Sequence, residues 1–261
     1  MCIRDRSSST LDGYFAEPSR TNNCLWGRNF LALTWTESSV NESRHWIPST
    51  VGSELVTNGT FDSDIAGWLT LGAGGTVTWS SGKIRVDSTS GNIGAYQDVS
   101  GLTIGKTYIL TCNVTQIAGS DYKVVIYTNN TFTTTLKSQK SLTTGILFNA
   151  TATTQRVYIN ISVTGSTIEV DNFSLKESAI QISKITGLDN VANSASRLTA
   201  AANDATIMQL LTAATGTRTA SAYIKRISGT GTVSITRNGG TDWTDVTSQL
   251  VSGTWLSLIH I

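Results

Sequence analysis

Arg156, Tyr158, Asn160 and Ser162 stand at a spacing of two, which puts a guanidinium, a phenol, an amide and a hydroxyl in one line. Sugar recognition needs parts of this kind: rings for the apolar faces of pyranoses, rimmed by groups that hydrogen-bond their hydroxyls. Tyr96, Gln97, Tyr122 and Tyr127 add rings and an amide that can share the same sheet. The same residues equally suit a sheet face that is merely solvated. Catalysis finds no comparable set. Glycoside hydrolysis needs two carboxylates at a fixed separation, and Asp and Glu are scattered through turn-like segments here. His45 and His260 are the only histidines, so no zinc site or histidine-dependent triad has its parts.

A spacing of two works only on a strand, and strands are what the chain offers. From Glu54 to Glu177, short β-type runs alternate with Gly, Asn, Asp, Ser and Thr, with no helical stretch. Tyr108, Leu110, Cys112 and Val114 share one face of Thr107–Val114, and Val157, Ile159, Ile161 and Val163 share one face of Arg156–Val163. A period of two over seven or eight residues marks a half-buried strand. Leu110, Cys112, Val157, Ile159 and Ile161 are therefore expected in the core, and Tyr158 and Asn160 outside it. Ile168 and Val170 share a face, but the next apolar pair is Phe173 and Leu175. That slip of one residue across Asp171–Asn172 predicts a β-bulge. Many short strands at regular spacing predict an all-β fold made of antiparallel sandwiches.

The opening Leu55-Val-Thr-Asn-Gly-Thr-Phe61, the nearby Trp68 and the closing Val170-Asp-Asn-Phe-Ser-Leu175 resemble the jelly-roll carbohydrate-binding modules of the CenC type, over roughly 125 residues, an ordinary size for one domain. The resemblance implies glycan binding without catalysis. It also implies a structural calcium ion between the two phrases, with Asp171 as the closing ligand and Asp62 or Asn58 as the opening one. Calcium is held by several oxygens, which carboxylates and loop carbonyls supply.

Upstream, Glu17-Pro-Ser-Arg-Thr-Asn22 followed by Asn29-Phe30 and Trp35 resembles a segment of phage tail and tail-fibre proteins, as does the β-rich stretch Ile180–Trp255. That resemblance implies a virion or extracellular location, a surface polysaccharide as partner, and a homotrimer or larger assembly built through other regions. An accessory module of a secreted glycoside hydrolase and a ligand-free virion spacer are the alternatives. In the phage proteins that this leader resembles, the leader phrase runs directly into a sandwich that Ile180–Trp255 looks like. Residues 53–177 thus read as an insertion, with Phe30–Val40 giving that sandwich a strand and Trp35 packing on it.

The expected layout is a leader at 7–52, a jelly-roll module at 53–177, and a second jelly-roll-like sandwich at 178–255 that has lost a closing strand. Met1–Arg6 and Leu256–Ile261 read as translations of a transposase sequencing adapter and of its reverse complement, so they are set aside from fold reasoning. Composition bounds the rest. Only 14% of the 261 residues are charged and the net charge is +1, which gives nucleic acid no electrostatic footprint. No apolar run approaches the ~20 residues of a membrane span. Of the three cysteines, Cys112 lies on an apolar strand face and reads as a buried free thiol.

Overall fold

A computed structural model describes residues 46–119, 121–139, 145–209, 220–236 and 241–260. Strands β1 (Trp46–Pro48) and β2 (Thr50–Val51) lead into β3 (Leu69–Leu71), β4 (Gly75–Trp79), β5 (Ile84–Ser88), β6 (Ile93–Ser100) and β7 (Thr107–Ala118). Then follow β8 (Lys123–Tyr127), β9 (Thr135–Gln139), β10 (Ile146–Asn149), β11 (Thr154–Ile161) and β12 (Thr167–Ser178). They form two antiparallel sheets. One has the order β10-β7-β12-β5-β4 with β2 added on β12, and the other the order β3-β6-β11-β8-β9.

The two sheets meet over one apolar core. Leu110, Val157, Ile159 and Ile161 are fully enclosed there with Phe61, Phe148, Ile84, Ile93 and Ile126, and Cys112 lies at its margin. These are the positions that the alternation assigns to the interior. The bulge is also present: Asp171 pairs with Asn113 but Ser174 pairs with Thr111, and Asn172 takes the left-handed conformation at φ 51°. One extra residue in β12 puts Phe173 and Leu175 back on the inward face that Ile168 and Val170 occupy. Strand β9 was not read from the sequence, because Thr135–Gln139 contains one apolar residue, Leu136, and shows no alternation.

The first and last phrases of this module are stitched together. Phe173 N–H donates to the Gly59 carbonyl at 2.8 Å, and Leu55 N–H donates to the Leu175 carbonyl at 3.1 Å. The Glu54 carboxylate accepts from Leu175 N–H at 2.7 Å and from the Ser174 hydroxyl at 2.5 Å. Trp68 packs on Phe61 and Phe173, with ring centroids 5.4 and 4.8 Å away. Val51 and Thr50 pair with Glu177 and Ser178, so the chain enters the module beside the point where it leaves.

Beyond Ser178 the described residues form β13 (Ile180–Ile185), β14 (Ala195–Ala200), β15 (Ile207–Gln209), β16 (Ala220–Lys225), β17 (Ser234–Ile235), β18 (Thr244–Asp245) and β19 (Trp255–His260). These make two-stranded antiparallel ladders, β13–β14, β16–β19 and β17–β18, and β15 pairs with β1. Trp46–Pro48 thus pairs with a strand of this region; Phe30–Val40 and Trp35 lie outside the described residues. Leu256–His260, set aside on the sequence, continue β19 against β16, and Leu258 is buried with Val246 and Leu250. The segment after 177 packs against the module: Ile180 and Ile182 of β13 cover Ile109 and Leu147 on the outer face of β7 and β10. Hydrogen bonds from Asn149 to the Ile182 carbonyl and from Ile182 N–H to the Thr107 hydroxyl fix that contact.

Candidate functional site

Strand parity sorts the candidates on the second sheet. In β11, Gln155, Val157, Ile159 and Ile161 face the core, while Arg156, Tyr158 and Asn160 face away from it. Tyr158 lies opposite Tyr96 of β6 on one side and Val125 of β8 on the other. Leu69 of β3 lies opposite Tyr96, so a row Leu69, Tyr96, Tyr158, Val125 crosses the outer face. Arg156 sits beside this row, opposite Asp98, with Tyr127 at the end of β8.

Three tyrosines and Arg156 are thus brought together, but they are not open to solvent as expected. Phe132, from the loop between β8 and β9, lies over them. Its ring meets Tyr96, Tyr127 and Tyr158 edge to face, with centroids at 5.1, 5.1 and 5.5 Å. The Arg156 guanidinium lies against two of these rings, 4.1 Å from Phe132 and 4.2 Å from Tyr96. Tyr158 keeps only 6% exposure and Arg156 9%. Burial pushes the Tyr158 phenol up to about 12. Asp98 grips Arg156 through two hydrogen bonds of 2.7 Å, and these bonds hold the guanidinium charged.

Gln97 is not part of this face. It follows the inward parity of Ile93, Ala95 and Val99 and is 5% exposed. Its amide accepts from Thr57 N–H and donates to the Thr57 and Gly67 carbonyls, tying the opening phrase to β6. Tyr122 also packs on the core. Asn160 is half-buried at the rim, where it donates to Asn92. Gly94, its cross-strand partner, has no room for a side chain: a Cβ there would lie 2.7 Å from the Tyr158 ring. Phe132 and Asn92 were missed from the sequence. Asn92 could have been found only from the β6–β11 register, which brings it next to Asn160.

The calcium candidates sit in separate local networks. Asp171 accepts from its neighbour Asn172 N–H at 2.6 Å, and Asp62 accepts from the Thr60 hydroxyl at 3.0 Å. The Asn58 amide donates to Asp64 and to the Ala66 carbonyl. Among the described residues no three Asp, Glu, His or Cys side chains gather as a metal cluster.

The strand pairing defines the class: an antiparallel β-sandwich with an aromatic, guanidinium-centred patch on one outer face. No protein-family model and no curated protein matches the chain. Similar solved structures include a CBM4 module, 19% identical, covering 46% of this chain and 100% of that one, with a TM-score of 0.39. The N-terminal cellulose-binding domain of Cellulomonas fimi β-1,4-glucanase C is 20% identical over 49% of this chain and 98% of that one, with a TM-score of 0.36. The enzymatically active domain of tailspike protein 4 from bacteriophage CBA120 is 14% identical over 48% of this chain and 21% of that one, with a TM-score of 0.38. At these scores the fold assignment rests on the strand pairing described above.

Proposed function

We propose that the module spanning Glu54–Glu177 is a non-catalytic glycan-binding domain that uses the outer face of its second sheet. The observation that carries this is the placement of four aromatic rings and one guanidinium on the solvent side of that sheet, outside the core. Rings with hydroxyl and amide groups at their rim suit a pyranose that offers a flat C–H face and a polar edge. Asn160 and Asn92 supply such a rim next to Tyr158 and Gly94. The test is a glycan array probed with the full chain. Tyr96→Ala is expected to weaken the best-bound oligosaccharide roughly three- to tenfold, the worth of one aromatic contact. Retention of no glycan by the wild type or by any variant of this face would overturn the proposal.

One observation favours a ligand-free spacer instead: the rings already contact one another, and Tyr158 is covered. The array decides between the two. For the setting we infer a tail-associated fibre or adhesin of a phage or prophage, in a virion or outside the cell, on the leader phrase Glu17–Asn22 and the stretch Ile180–Trp255. Neighbouring tail genes around the parent reading frame would support it; a flanking glycoside hydrolase domain would move the module to an accessory role. Calcium at the seam is a separate proposal, drawn from the sequence resemblance, with Asp171 as the closing ligand. A chelator-induced fall in melting temperature that Asp171→Ala abolishes would support it, and coincident melting curves would overturn it.

A further inference from the structure

We propose that Phe132 is a built-in occupant of the glycan slot, and that a sugar ring binds by displacing it. This rests on the glycan reading above and adds how the site is regulated. The slot has a floor and a wall of defined shape. Tyr96, Tyr127 and Tyr158 surround one six-membered ring edge to face, and the Arg156 guanidinium stacks on it at 4.1 Å. A site that seats a flat ring of this size from its own chain has the dimensions and the apolar lining for the C–H face of a pyranose.

The loop that carries Phe132 is built to move at its tip and stay fixed at its stem. Arg156 N–H donates to the Asn129 carbonyl at 3.0 Å, and the Thr151 hydroxyl donates to the Thr128 carbonyl at 2.6 Å, which anchors the stem to β11 and its approach. Thr128 N–H closes the loop on the Thr134 carbonyl at 2.9 Å. At the tip the hydrogen bonds run within the loop: Asn129 Oδ1 accepts from Thr131 N–H and from its hydroxyl, and the Thr131 and Thr133 hydroxyls bond each other. The tip is thus self-satisfied in its polar groups and held to the sheet by the Phe132 ring. Lifting that ring leaves these bonds intact and uncovers three phenols and a guanidinium together.

Displacement makes the measured affinity smaller than the slot's own, by the fraction of molecules in which the ring is out. Removing the ring removes that handicap. Phe132→Ala is expected to bind the best-retained oligosaccharide of the array roughly tenfold more tightly than the wild-type full chain, with Tyr96→Ala weakening both. Equal or weaker binding by Phe132→Ala, with wild-type binding intact, would overturn the occupant role and make Phe132 part of the platform. Absence of binding in both would instead overturn the glycan reading. A ligand-free readout runs beside this: ultraviolet titration should show the Tyr158 phenol, pushed up to about 12 by burial, return toward the ordinary tyrosine range in Phe132→Ala. An unchanged titration would also sink the proposal. If Phe132→Ala does not fold, Phe132→Leu keeps apolar volume, loses the ring stacking, and should show a smaller shift in the same directions.

Discussion

Ile159→Ala should lower the unfolding free energy of the full chain by about 2–5 kcal/mol, the range for removing a large aliphatic group from a packed core and leaving a cavity. The site is suited to the upper part of that range. Ile159 has no exposure, and its strand lies between β6 and β8 with the other sheet packed across it. Its cross-strand neighbours Ala95 and Val124 belong to strands that are themselves paired on both sides, so collapse into the void is restricted. Denaturant unfolding of wild type and variant measures the difference. A loss below about 1 kcal/mol would mean that the sheets close over the gap, and the interior would then be less rigid than its packing indicates.

Gly59→Ala is the second large effect expected, at about 3 kcal/mol. A Cβ at this position would sit 1.9 Å from the Phe173 carbonyl oxygen, and that contact is backbone rather than the end of a flexible side chain. The same residue donates its N–H to the Gly59 carbonyl, so moving the strands apart breaks the bond that joins the opening phrase to the bulge. Gly231→Ala is the control: nothing lies within 4 Å of its Cβ position, and its effect should stay within about 0.5 kcal/mol. Thermal melts of the three proteins make the comparison. A neutral Gly59→Ala would show that the seam is looser than its hydrogen bonds suggest.

Local alternation made part of this architecture legible. The inward sets of β7 and β11 follow from a period of two, and the bulge follows from the slip between Val170 and Phe173, because both signals lie within one strand. Gln97 was legible too, though misassigned. Ile93, Ala95 and Val99 fix its parity, and a polar residue in phase with them belongs inside, where it needs partners. The cover over Tyr158 could not be read. The sheet order places β6, β11 and β8 side by side although they are far apart in sequence, so the tyrosine cluster exists only in the fold. Phe132 stands alone among threonines in Thr131–Thr135, and nothing local says which surface its loop will meet. The packing of β13 against the module was hidden for a related reason. Ile180 and Ile182 alternate like any strand, but their partners Ile109 and Leu147 lie on the side of β7 and β10 that alternation assigns to solvent.

The pairing of β1 with β15 has a mechanical consequence. Trp46 lies opposite Gln209 and Pro48 opposite Ile207, so the chain running back toward residue 45 and the chain running on past 209 leave this ladder at the same end. Tension along the polypeptide therefore loads its rungs one after another, as in a zipper, and not all at once as in shear. The next rungs, Ser49 with Ala179 and β2 with the end of β12, are arranged in the same sense. A pull on the chain spends itself first on this short stem, while the long ladders of the sandwich, with the aromatic face they carry, hang outside the line of force.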